Sequence, residues 1–98
     1  MVTQFTGAHL LHLAAAGCVL NDLYREAATR GITLDGVRVV ASGGFDTEKW
    51  FSTGVQYAVE VDSPADDETI GNLLAIVDDV AEIPKALRAG MTVKRASL

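Results

Sequence analysis

A chain of 98 residues that is 49% hydrophobic and 21% charged has a globular composition and room for one domain at most, taken here as residues 1–98. A net charge of −5 repels phosphate backbones and offers anionic lipid no basic face, which argues against nucleic acid and against a membrane as partners. A single cysteine rules out an intrachain disulfide and suits a reducing compartment, so a cytoplasmic location is expected.

Thr6-Gly7 leads into a helix that the pattern runs from about Ala8 to Arg30, with Thr6 as its cap. The longest apolar stretch, Ala8 to Leu20, is interrupted by His9 and His12. It falls short of the roughly 20 apolar residues a bilayer span needs, so it reads as a helix buried in protein. Its first half is apolar nearly all round and must be covered on most sides. Its second half is amphipathic, with Leu20, Leu23, Tyr24 and Ala27 on one side and Asn21, Asp22, Arg25, Glu26 and Arg30 on polar faces. Gly31 tolerates a positive φ and closes it.

Two strands follow, Val37–Ser42 and Val55–Val61, and the second alternates cleanly, with Val55, Tyr57, Val59 and Val61 on one face. The loop between them, Gly43 to Gly54, carries Phe45, Trp50 and Phe51. Ser63-Pro64-Ala65-Asp66-Asp67-Glu68 opens a second helix, with Ser63 or Asp66 as its cap, and an apolar stripe of Ile70, Leu73, Leu74 and Val77 carries it to about Val80. Pro84 permits a short helical turn through Arg88, Gly90 ends it, and Met91–Lys94 reads as a last strand. The order helix, strand, strand, helix, strand implies two layers: helices on an antiparallel sheet. One sheet covers one side of the first helix, and a second copy of the chain is the simplest cover for the rest.

The run Leu10-Leu11-His12-Leu13-Ala14-Ala15-Ala16-Gly17-Cys18, continuing to Gly31-Ile32, resembles the central cysteine helix of the OsmC and organic-hydroperoxide-resistance family. Leu34–Val39, Ser63–Glu68 and Pro84–Gly90 resemble, in order, the family's following strand, the start of its second helix and the segment before its final strand. The resemblance covers roughly Gly7 to Arg95 and implies an α+β fold in which two main helices pack on an antiparallel-rich sheet, in an intertwined homodimer. The family begins with a β-meander, and this chain resembles a member without it.

The resemblance also implies a chemistry, thiol-dependent reduction of organic hydroperoxides with no cofactor. One thiolate attacks the peroxide and becomes a sulfenic acid, and a second thiol condenses with it. An arginine favours the thiolate, and a glutamate orients the arginine. Cys18 falls at the reactive position and is the one candidate catalytic residue. The second thiol's place, in Ala81-Glu82-Ile83-Pro84, is taken by Ala81, and the glutamate's by Ala8. The arginine belongs to the meander, and none of Arg25, Arg30, Arg38, Arg88 and Arg95 matches its motif. An active protein would therefore need an external thiol reductant.

Each feature also has a plainer explanation. Cys18 can be a small buried hydrophobe, and Asp22, one turn on, opposes a thiolate if it faces the same side. His9 and His12 are one turn apart, but Cys18 lies about 120° round the helix from His12, so no metal is expected. Phe45, Trp50 and Phe51 cover an apolar pocket or the partner chain, or simply pack over exposed core. Asp66, Asp67, Glu68, Asp78 and Asp79 read as a solvated helix face and ends. Gly43-Gly44 is a turn signal without the helix a phosphate cradle needs. Two functions remain: a peroxide-reducing enzyme working through Cys18, or a non-catalytic homodimer that binds a small apolar ligand or another protein.

Overall fold

Residues 6–97 are described by a computed structural model, so the lead-in Met1–Phe5 lies outside the described residues. The order is α1 (Gly7–Thr29), β1 (Gly36–Phe45), β2 (Ser52–Asp62), α2 (Asp67–Val80) and α3 (Glu82–Ala89).

Helix α1 starts where expected. Thr6 is its N-cap, and His9 takes the place a glutamate holds in a capping box, its Nδ1 accepting the Thr6 backbone N–H at 3.0 Å. The helix ends in a Schellman turn: Gly31 has φ 68°, its N–H bonds to Ala28 O at 3.3 Å, and the Ile32 N–H bonds to Ala27 O at 2.9 Å. Ile32 thereby folds back against the core.

The hairpin is longer, and its loop shorter, than the β-branched runs alone suggest. The antiparallel ladder continues past Ser42↔Gln56 to Phe45↔Ser52 through a bulge at Gly44/Phe45. What remains is a turn built on Asp46, whose carboxylate accepts the Glu48 and Lys49 N–H groups and whose carbonyl accepts Trp50 N–H. Trp50 sits there at φ 60°. Glycines at 43, 44 and 54 hid this extension, because glycine carries no strand signal of its own. At Gly43 its lack of a side chain is required: a Cβ would run into the Gly54 carbonyl oxygen and stand 2.9 Å from His12 Nε2.

Helix α2 is capped by Asp66, whose carboxylate accepts Thr69 N–H at 2.8 Å and is held below its ordinary pKa by hydrogen bonding from the Thr69 side chain and then its backbone. Ser63, the other cap candidate, instead donates to Thr33 O at 2.6 Å and ties the end of β2 to the loop before β1. The expected last strand is corrected: Met91–Lys94 forms no ladder, and Met91 and Val93 are exposed. β-branched content makes a strand only where the backbone groups pair, and Met91–Lys94 joins neither outer edge of the hairpin, so among the described residues the sheet has two strands, not three.

The core is a seam. Val19, Leu23 and Ala27 of α1 meet Leu73 and Val77 of α2 and Ala81, all at 2% exposure or less. Val37, Val39, Tyr57 and Val59 from the inner face of the hairpin pack against it. Asp22, expected on a polar face, is buried in α1. Leu10, Leu13, Leu20 and Tyr24 of the same helix are exposed.

Gly43→Ala should destabilise by about 1–3 kcal/mol, as overpacking does. Gly71→Ala, in the exposed middle of α2 where a Cβ meets nothing, should stabilise by roughly 0.5–1 kcal/mol. Urea midpoints of the two variants against the parent check both signs.

Candidate functional site

Cys18 is a free, half-buried thiol at the edge of the core seam. Ala15, three residues before it, and Asp22, four after, share its side of α1, and both are buried. The Asp22 carboxylate is held by Arg25 Nη1 at 3.0 Å. The negative charge one turn from the sulfur thus has its own counter-ion on the same helix, and Asp22, expected among the polar faces, lies on the thiol's side.

The other positions of the implied catalytic set are closed. Ala81, where the resemblance puts a second thiol, is fully buried in the seam. Ala8 is half-buried, and the first turn of α1 carries no acid. The arginines are committed to carboxylates: Arg25 to Asp22, Arg30 to Glu26 at 2.5 Å, Arg38 to Glu60 at 3.3 Å and Arg88 to Asp78 at 2.6 Å. Arg95 lies in the exposed tail.

A cleft of about 350 Å³ opens between α1, β2 and α3. Leu11 and Ala15 line it from α1, Val55 and Tyr57 from β2, and Pro84, Leu87 and Arg88 from α3. Leu11 and Ala15 stand seven and three residues before Cys18, on its side of the helix, yet the thiol itself is not on the cleft wall.

A polar cluster joins three elements beside this cleft. The Tyr57 hydroxyl donates to Asp78 Oδ1. Arg88 Nη2 donates to the same oxygen at 2.6 Å, and Nη1 donates to the Asp78 carbonyl at 2.9 Å. Burial, then the adjoining carboxylate, pushes the Tyr57 phenol up to about 12. The Tyr57 bond, helped by Arg88, holds the Asp78 carboxyl below its ordinary range against partial desolvation. Asp78, its side chain about half exposed as expected of the solvated acids, is thus tied to two other elements. The inward face of Tyr57 was legible from strand alternation, but its two partners come from other helices and left no local signal.

Among the described residues no group of three or more His, Cys, Asp or Glu could hold a metal. His12 Nε2 is buried without a hydrogen-bond partner, close to Gly43. Phe45, Trp50 and Phe51 are exposed at the hairpin tip, Trp50 at 78%, and none of them lines the cleft. Among the described residues, no helix is long and apolar enough to cross a membrane.

The family model described as OsmC-like protein matches residues 3–95. No curated protein matches the chain. Among solved structures, an OsmC-like protein from Mycoplasma pneumoniae is 19% identical with a TM-score of 0.79, over 89% of this chain and 64% of that one. An OsmC-like hydroperoxide resistance protein from Jannaschia sp. CCS1 is 14% identical with a TM-score of 0.74, over 100% of this chain and 70% of that one. An OsmC-like protein of unknown function from Vibrio cholerae is 11% identical with a TM-score of 0.61, over 82% of this chain and 56% of that one. At these identities the likeness is one of fold. The chain spans less than two thirds of the length of the Mycoplasma protein.

The Tyr57 cluster gives a pH signature. A phenol whose folded pKa lies above its unfolded value contributes stability that is complete below about pH 10 and lost as pH rises through about 12. Ultraviolet titration of the folded protein should show one phenol ionising near 12 that is absent from Tyr57→Phe. The variant should also lose less stability than the parent between those pH values.

Proposed function

Because this chain belongs to the OsmC-like family, we propose that it reduces organic hydroperoxides through Cys18 in a one-cysteine cycle, as a homodimer in the cytosol. The observation that carries the proposal is the position of the lone sulfur. It is half-buried rather than sealed in the core, on the side of α1 that borders an apolar cleft. The nearby Asp22 carboxylate is already paired with Arg25.

In that cycle the Cys18 thiolate attacks the terminal peroxide oxygen and the O–O bond breaks. The alcohol leaves with a proton, and Cys18 becomes a sulfenic acid. An external thiol condenses with it, releasing water and forming a mixed disulfide. A second external thiol then restores Cys18 and departs with the first as a disulfide. The external thiol stands in for the second cysteine, whose position Ala81 fills. Leu10, Leu13, Leu20 and Tyr24, exposed on α1, form the surface that a second copy would cover.

A second reading has a specific observation behind it. With four arginines committed to carboxylates and a methyl group at the second thiol's place, the protein would be a non-catalytic dimer that holds a small apolar ligand in the cleft.

One assay decides between them. The native protein is exposed at pH 7 to an organic hydroperoxide, and the mass of the chain is read with and without a sulfenic-acid trap. The enzyme predicts a trapped adduct on Cys18, absent from Cys18→Ser, and alcohol formation that turns over only with added thiol. An unmodified thiol with no peroxide consumed leaves the ligand-binding dimer. Independently, native mass should correspond to two chains, and Leu13→Asp should reduce it to one.

A further inference from the structure

The wall of the cleft between α1, β2 and α3 divides by chemistry. Leu11, Ala15, Pro84 and Leu87 give it apolar sides, and the one charged residue on its lining is Arg88. Its volume, about 350 Å³, falls at the small end of the roughly 300–1,000 Å³ typical of small-molecule sites. Mostly apolar walls with a few placed polar groups, here Ser52, Tyr57 and Arg88, are the usual composition of such a site.

Arg88 is fixed in an unusual way. Nη1 is held by the Asp78 carbonyl at 2.9 Å and Nη2 by the Asp78 carboxylate at 2.6 Å. A guanidinium has five N–H donors, so these two bonds leave three, the Nε–H among them. Tyr57 donates to the same carboxylate oxygen, so a strand and two helices together set the geometry of the cation. A guanidinium already held in place does not have to give up rotamer freedom when it meets a ligand. Its remaining donors suit a carboxylate, which the planar fork engages with charge-assisted bonds.

We propose that this cleft binds a small amphipathic carboxylate, its hydrocarbon part between Leu11, Ala15, Pro84 and Leu87 and its head on the free donors of Arg88. The proposal deepens the ligand-binding reading of the cleft and requires no reactive sulfur. The ligand class is set by Arg88. A neutral molecule of equal length would gain the apolar contacts and forgo the charged ones.

The test titrates the native 98-residue chain with decanoate and with decanol, both below their aggregation limits, by calorimetry and by methyl chemical shifts. Expected are saturable binding of one decanoate per chain, at least tenfold tighter than decanol, and shifts at the Leu11, Ala15 and Leu87 methyls. Arg88→Gln should weaken decanoate at least tenfold and leave decanol unchanged. Should that variant fail to fold, the ratio of the two ligands on the parent decides alone. Equal affinities, no saturable binding, or shifts confined to the outer face of α1 overturn the proposal. The peroxide assay does not bear on it: decanoate binding by a peroxide-inert protein supports the site and removes only the enzyme.

Discussion

Two stripes with the same spacing hold the molecule together. Val19, Leu23 and Ala27 recur every fourth residue on α1, and Leu73, Val77 and Ala81 recur every fourth residue along α2 and its cap, all of them essentially closed to solvent. That spacing puts each set in one row along its helix, so that two rows of aliphatic side chains can interlock. Full burial of a valine or leucine is worth about 1.5–3 kcal/mol, and the seam has two of each. The alanine at the end of each row keeps the helices close. The hairpin then has one place to lie, with Val37, Val39, Tyr57 and Val59 turned onto the seam and Arg38, Ser42, Gln56 and Glu60 turned away. Arg38 and Glu60 sit opposite each other in the ladder and pair across its outer face.

The seam bears directly on the chemistry. Ala81 lies where the family resemblance calls for a second thiol, and it is the last contact of the α2 row. In this chain that position serves packing. The seam also uses one side of a 23-residue helix and leaves Leu10, Leu13, Leu20 and Tyr24 outside. An apolar surface on that scale is a cost in water, and it is the physical basis for placing a second copy there.

Charge is organised locally. Asp22 with Arg25, and Glu26 with Arg30, pair within α1 across one helical turn. The Tyr57–Asp78–Arg88 cluster is different in kind, because it joins β2, α2 and α3. It holds the short α3 against the rest of the fold, and with it the outer wall of the cleft.

Much was determined by the sequence alone. Helix periodicity, the caps at Thr6 and Asp66, the closing Gly31 and the alternation of Val55 to Val61 are local signals, carried by the side chains and dihedral preferences of adjacent residues. The family pattern was legible for the same reason, as an ordered set of such segments. Tertiary structure alone decided the rest. It drew the glycine-rich flanks of the hairpin into the ladder, left Met91–Lys94 unpaired, buried Asp22 and joined Tyr57 to Asp78 and Arg88. Each of those outcomes depends on what comes to lie opposite a residue in space, and a partner brought there by the fold leaves no mark on the local pattern.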